Sequence, residues 1–116
     1  MKRLNKIAKR ITAYDEAIEQ FIKECEDSGK FNDEQMQQIC WGFQDGLTIE
    51  EVEVYANPEF NGDQMETIEW GLVTGLSIEQ VKVYAKPEIS WRKMEEIRWE
   101  YRWGMSIDEV KEKYDL

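Results

Sequence analysis

Apolar side chains recur along the chain at the spacing of helices with one buried face. Met36, Ile39, Cys40 and Phe43 fall at positions i, i+3, i+4 and i+7, the period of an amphipathic helix. A second, shorter apolar stripe begins at Ile49. These patterns predict an all-α fold without strands.

Capping residues mark where these helices begin and end. Gly46 follows the first stripe, where a residue in the left-handed conformation ends a helix, and Thr48 with Glu51 fits the capping box that starts the next one. Asn57-Pro58 then disfavours helix. Each unit is therefore predicted to be an αα-hairpin, and the same devices recur at Gly75, Ser77, Gln80, Gly104, Ser106 and Glu109.

The hairpin pattern repeats with a period of 29 residues. Residues 31–59 and 60–88 match at 17 of 29 positions without a gap, and residues 89–116 match the second unit at nine of 28. A period of this length is typical of stacked repeats. We predict a single domain over 1–116, a short solenoid of three αα-hairpins whose open side is capped by a long N-terminal helix over 1–30.

The repeat resembles a family of tandem 29-residue αα-hairpins in uncharacterised bacterial and mobile-element proteins, with the pattern F-x3-QM-x2-I-x2-G-[FL]-x2-GL-[ST]-x-E-x-V-x2-YA-x-PE. The likeness covers residues 31–116 and weakens in the third unit. It implies an architecture and a mobile-element setting, and no chemistry. The first unit carries it through Phe31, Gln35, Met36, Ile39, Gly42, Gly46, Leu47, Val52, Tyr55, Ala56 and Pro58.

Two glycines lie inside the first helix of their units. Glycine in a helix interior costs about 1 kcal/mol relative to alanine, so Gly42 and Gly71 predict the close approach of a helix from the adjacent repeat. Glu100 takes this position in the third unit. No neighbour is therefore expected to pack there.

A tryptophan recurs on the flank of each first helix, at Trp41, Trp70 and Trp99. Burial between adjacent repeats is the favoured interpretation because indoles supply large buried areas. The alternative is an exposed row of indoles that binds a protein partner.

The third unit adds Trp91 and Trp103, and arginines at 92, 98 and 102. Trp99 and Trp103 lie at i, i+4, with Arg98 and Arg102 in a parallel row. Such residues can stack bases, bind an anionic group or form a homodimer contact. The alternative is a terminal cap in which Glu95, Glu96 and Glu100 neutralise the arginines.

Charge is unevenly distributed. The net charge is −10, and residues 11–88 hold 18 acids against four cations. This balance predicts no direct binding to nucleic acid and favours a partner with a basic surface, although acidity for solubility alone is the simpler explanation. The five cations of residues 1–10 are expected to dock against the acidic middle rather than on nucleic acid.

Composition excludes most catalytic designs. The chain has no histidine, and Cys25 and Cys40 form no CxxC motif, so we expect reduced thiols, no metal and no cofactor. The acidic segment around Gly29 does not fit an EF-hand, since Gln35 would occupy its twelfth position. No apolar stretch approaches the roughly 18 residues of a membrane span, and no apolar signal-peptide core follows the first basic residues. A cytoplasmic protein without membrane contact is expected.

These observations predict a non-enzymatic, protein-binding helical repeat. Its most concrete form is an acidic inhibitor of a basic nucleic-acid-binding protein, either a DNA mimic or an anti-CRISPR-like anti-defence protein. The alternatives are a structural adaptor for assembly and, as a residual, a small carboxylate-dependent enzyme. The predicted partner-binding residues are Glu34, Asp63, Glu66, Trp91, Arg98, Trp99, Arg102 and Trp103.

Overall fold

Each of the three repeats folds into a long helix followed by a short one. The structure, a computed structural model, describes residues 16–116, and helix α1 occupies residues 16–28. No strand occurs within residues 16–116, so the predicted all-α class is confirmed. Helix α1 lies within the predicted N-terminal helix over 1–30. Residues 1–15 of that prediction, with the five cations of residues 1–10, lie outside the described part. The paired helices are α2 (Asp33–Gln44) with α3 (Ile49–Glu53), α4 (Gly62–Val73) with α5 (Ile78–Tyr84), and α6 (Trp91–Arg102) with α7 (Ile107–Tyr114).

The helix ends follow the predicted capping chemistry. Thr48 accepts a hydrogen bond from the Glu51 amide while the Glu51 side chain accepts one from the Thr48 amide, and α5 and α7 begin in the same way. Gly46, Gly75 and Gly104 adopt positive φ angles of 93°, 107° and 101°. Only glycine takes up this conformation at little cost, so each long helix ends where the sequence predicts.

The long helices lie side by side in the order α2, α4, α6, and each short helix packs on the long helix that precedes it. Helix α5 also contacts α6 and α7. The side chains between the two layers form one buried cluster, and Phe21 of α1 meets Phe43 edge-on with ring centroids 5.7 Å apart. Fully buried members of the cluster are Ile39, Val52, Tyr55, Met65, Ile68, Val81, Tyr84, Met94, Ile97 and Val110.

A buried glutamine ties each of the first two repeats to the loop that precedes the next. The Gln35 amide nitrogen donates to the carbonyl oxygens of Pro58, at 3.0 Å, and Phe60, at 2.6 Å. Gln64 makes the same bonds to Pro87 and Ile89. These bonds join the long helix of one repeat to the backbone that leads into the next, so they fix where one repeat follows another.

The helix-interior glycines contact a tyrosine of their own repeat. A Cβ atom at Gly42 would lie 1.8 Å from the Tyr55 hydroxyl oxygen, and one at Gly71 would lie 2.2 Å from that of Tyr84. The predicted close approach exists, but its assignment to the adjacent repeat is wrong. Tyr55 lies just beyond α3 and is completely buried, which the helical wheel of that short helix did not indicate.

The third repeat also departs from expectation at this position. Glu100, predicted to have no neighbour, forms an ion pair with Lys113 and accepts a hydrogen bond from the Tyr114 hydroxyl. A charged pair across α6 and α7 thus replaces the glycine–tyrosine contact of the earlier repeats.

Candidate functional site

The repeated tryptophans form an exposed row, which we call the indole row: Trp41 on α2, Trp70 on α4 and Trp99 on α6. Their exposed fractions are 42%, 52% and 43%, so the favoured prediction of burial between repeats is wrong. The reason is visible on α4, where Thr67 and Glu69 are buried on opposite flanks. The tryptophan position lies between these flanks and faces away from the core.

A cleft of about 440 Å³ lies between α4 and α6 beside the indole row. We call it the α4–α6 cleft. It brings together four of the eight predicted partner-binding residues: Asp63, Glu66, Trp91 and Arg98. Its remaining lining side chains are Thr67, Trp70, Thr74 and Glu95, which the sequence analysis did not assign to one site.

The charges in the cleft do not cancel. Arg98 forms an ion pair with Glu95, with its Nε donating to Oε1 at 3.1 Å. Asp63 and Glu66 form no ion pair with any described residue. The cleft therefore carries a formal excess of two negative charges.

Arginines flank Trp99 on the neighbouring surface of α6. The Arg98 guanidinium carbon lies 5.3 Å from the centre of the Trp99 ring and that of Arg102 lies 5.5 Å from it. Arg92 stacks on Trp91 in the same way, at 5.4 Å. Of the predicted neutralising acids, Glu95 pairs with Arg98, whereas Glu96 pairs with Lys93 and Glu100 with Lys113. The arginine row is thus only partly neutralised by the acids of its own helix.

Four of the predicted residues lie outside the cleft: Trp99 and Arg102 on the neighbouring surface of α6, and Glu34 and Trp103 farther away. Glu34 reaches across from α2 to the start of α4, where a Cβ atom at Gly62 would meet its carboxylate at 1.5 Å. Trp103, at the end of α6, is 80% exposed. Gly62 in the second repeat corresponds to Trp91 in the third. The α4–α6 interface therefore has a second indole, and the α2–α4 interface does not.

A carboxyl pair lies between α2 and α4. Glu69 is only 6% exposed. Burial, followed by the hydrogen bond with Asp45 and the charges of Asp45 and Glu66, raises the pKa of Glu69 to about 8. Glu69 is therefore mostly protonated at neutral pH, and no sequence pattern indicated this because the partner comes from another repeat.

Among the described residues there is neither a metal-binding cluster nor a thiol with a lowered pKa. No group of three or more cysteine and carboxylate side chains in residues 16–116 is placed to hold a metal ion. Burial raises the pKa of both Cys25 and Cys40, which keeps these unpaired thiols protonated and weakly nucleophilic. Among residues 16–116, no helix combines the length and apolar character needed to cross a bilayer.

Comparisons with protein-family models, curated proteins and solved structures give no match to this chain. The family resemblance of its repeat therefore stays a prediction, and the function must be inferred from the chain itself.

Proposed function

We propose that this protein is a short helical-repeat solenoid that binds a protein with a basic surface and catalyses no reaction. The contacts from α2 to α4 and from α4 to α6 support the solenoid, because like helices of successive repeats lie next to one another. In this proposal residues 1–116 act as one domain in the cytoplasm. The partner is a nucleic-acid-binding protein, and its basic groove is occupied by the exposed acids of residues 31–81, which we call the acidic face.

The observation that carries the proposal is the uncompensated acidity beside the indole row. Residues 31–81 contain 11 acids and no lysine or arginine. Glu69 is buried, and none of the other ten forms an ion pair with another described residue. Like charges on one surface repel and lower stability, whereas a cationic partner would relieve that repulsion and associate quickly.

The indole row adds the apolar contact that such an interface needs. Exposed tryptophans are enriched among the residues that dominate binding energy. Trp41 and Trp70 lie within the cation-free residues 31–81, whereas Trp99 is flanked by Arg98 and Arg102. A nucleic-acid ligand would be repelled by the same surface. The acids and the tryptophans together therefore favour a basic protein over DNA or RNA.

Charge reversal tests the proposal. The variant combines Glu34→Lys, Asp63→Lys and Glu66→Lys. A matched control combines the same change at three other exposed acids, Glu59→Lys, Glu79→Lys and Glu88→Lys. Each reversal changes the charge by two, so both variants move from −10 to −4. We expect the first variant alone to lose capture of nucleic-acid-binding proteins from a host lysate, with both keeping their helicity by circular dichroism.

Competition with duplex DNA identifies the surface of the partner that is used. If the protein is a nucleic-acid mimic, duplex DNA is expected to displace it from the partner, and wild-type protein is expected not to retard DNA in a gel. If the captured protein is held equally well by the charge-reversed variant, the adaptor hypothesis becomes the better one. The same conclusion follows if wild-type protein binds DNA directly.

A further inference from the structure

Two indoles face the α4–α6 cleft from different helices. Trp70 comes from the middle of α4 and Trp91 is the first residue of α6. They stay 52% and 39% exposed, so neither is used to fill the core. Trp91 is an addition to the repeat pattern, because the first two repeats have Asp33 and Gly62 at its position. The fold therefore does not require the indole that completes the cleft.

The charge of the cleft determines whether it favours an anionic or a cationic ligand. Asp63 and Glu66 have no cationic partner among the described residues, and Arg98 is already paired with Glu95. Arg92 lies over the Trp91 ring at 5.4 Å but is not among the residues that line the cleft. The faces of indole rings carry negative electrostatic potential and attract cations. Aromatic faces and free carboxylates in one cleft disfavour an anion and favour a cation.

The shape of the ligand follows from the same groups. A guanidinium is planar, stacks on aromatic faces and donates hydrogen bonds to carboxylates in a fixed fork, whereas an ammonium is a strongly hydrated point charge. The volume of about 440 Å³ is within the range of small-ligand sites, which is about 300 to 1,000 Å³. The cleft thus has room for one guanidinium and part of its methylene stem.

We infer that the α4–α6 cleft binds an arginine side chain of the partner protein, stacked against Trp70 and Trp91 and hydrogen-bonded to Asp63 and Glu66. This inference rests on the proposed function, since it names the chemical group of the basic partner that the acidic face recognises. It also makes Trp91 the residue that distinguishes this interface from the one between α2 and α4.

The chain contains its own control for this inference. At the α2–α4 interface, Trp41 takes the place of Trp70, but Gly62 takes the place of Trp91 and the Glu34 carboxylate lies against it. The residues that correspond to the cleft lining by the 29-residue period include the acids Glu34, Asp45 and Glu66 but no second indole. If charge alone attracted the arginine side chain, it would bind near both Trp41 and Trp70. If two indoles are required, it binds only between Trp70 and Trp91.

Nuclear magnetic resonance of the full chain tests the inference directly. The five tryptophan indole N–H signals are assigned with single Trp→Phe variants, and N-acetyl-arginine amide is then titrated. The Trp70 and Trp91 signals are expected to shift saturably and the Trp41 signal to shift little. N-acetyl-citrulline amide, which has nearly the same shape without charge, is expected to produce no saturable shift, and N-acetyl-lysine amide is expected to bind more weakly.

Two variants test whether the indole of Trp91 and the two carboxylates contribute to arginine binding. Trp91→Gly restores the residue of the second repeat, and we expect it to raise the dissociation constant roughly tenfold, the loss of one strong cation–π contact. Asp63→Asn with Glu66→Gln leaves both indoles in place and is expected to weaken binding as well. Saturable shifts that survive in both variants, equal binding of citrulline or lysine, or an equal response of Trp41 would each overturn the inference.

The outcome is separable from that of the proposed function. A chain that captures a basic protein through its acidic face yet shows no saturable arginine site loses only the inference about the cleft. A chain that binds N-acetyl-arginine amide at Trp70 and Trp91 but captures no basic protein keeps the site and loses the proposed function.

Discussion

Glu100 and Lys113 form an ion pair at the two positions that Gly71 and Tyr84 occupy in the preceding repeat. In the first two repeats the absent glycine side chain leaves room for a tyrosine hydroxyl against the long helix. In the third repeat both residues have changed together, and a contact between charged side chains takes the place of the close approach. The two positions therefore behave as one structural unit.

The first prediction concerns this unit. We expect Gly42→Ala to lower the free energy of unfolding by about 1 to 3 kcal/mol, because the added methyl group overpacks the site of the Tyr55 hydroxyl. Tyr55→Phe alone is expected to cost about 1 kcal/mol by losing its hydrogen bond to the Gln38 carbonyl. The double variant is expected to lose less than the sum, since phenylalanine removes the clashing atom. Urea denaturation measures all three.

Gly62→Ala is the matched control. Its methyl group would also meet another atom, but that atom is the end of the exposed Glu34 side chain, which can move aside. A small effect is expected there. Losses that simply add in the Gly42 and Tyr55 double variant would contradict the contact.

Sequence reasoning predicted the helices well and the contacts between repeats poorly. Caps such as Thr48 with Glu51 are local, so their residue spacing predicts them. The partner of Gly42 depends on where the chain places Tyr55, and the wheel of a five-residue helix does not define this. The prediction that the indole row is buried was wrong for a similar reason. Neighbouring helices occupy both flanks of α4, and a single helical wheel does not reveal that the tryptophan lies between them.

The candidate site was recognised residue by residue but not as a cleft. Asp63, Glu66, Trp91 and Arg98 were each selected for charge or for departure from the repeat. That they line one space depends on the packing of α4 against α6. The carboxyl pair of Asp45 and Glu69 was missed altogether, because nothing in the sequence indicates which acids become buried.

The second prediction concerns the glutamine that joins the repeats. Gln64→Glu keeps the oxygen that accepts from the Asn61 amide but removes the donor to Pro87 and Ile89. It also brings a carboxylate close to two carbonyl oxygens. We expect a loss of about 3 kcal/mol or more in the free energy of unfolding, measured by thermal and urea denaturation.

Lys93→Ala is the control at the same repeat position. The exposed Lys93 side chain pairs with Glu96 of its own helix and lies over the Tyr114 ring, so it does not join two repeats. The expected change is within about 0.5 kcal/mol. Equal losses at both positions would remove the proposed link between repeats.

The third prediction is a pH dependence of stability. The pKa of Glu69 is raised to about 8 from an ordinary value of 4.5, chiefly by burial. Between these values the folded protein binds more protons than the unfolded chain, so this group makes stability fall as pH rises from about 4.5 to about 8. We expect Glu69→Gln to remove that contribution and to stabilise the protein at pH 9 by about 1 to 3 kcal/mol.

Glu66→Gln is the comparison, because Glu66 is an exposed neighbour on the same helix. It is expected to leave most of the slope unchanged. Melting temperatures from pH 5 to pH 9 decide the matter: a slope that persists undiminished in Glu69→Gln would assign the effect to other acids.

The last prediction concerns the end of the third repeat. Trp103 is 80% exposed, Trp91 is partly exposed and Arg102 has no ion pair with a described residue. Because none of these side chains belongs to the buried core, we expect Trp91→Ser, Arg102→Ser and Trp103→Ser together to keep the helical circular dichroism spectrum. Self-association of wild-type protein, measured by sedimentation velocity, is expected to weaken in this variant, since the exposed indoles of the third repeat offer an apolar surface to a second copy. If the triple variant unfolds instead, these residues form a structural cap, and the binding role of this surface is lost.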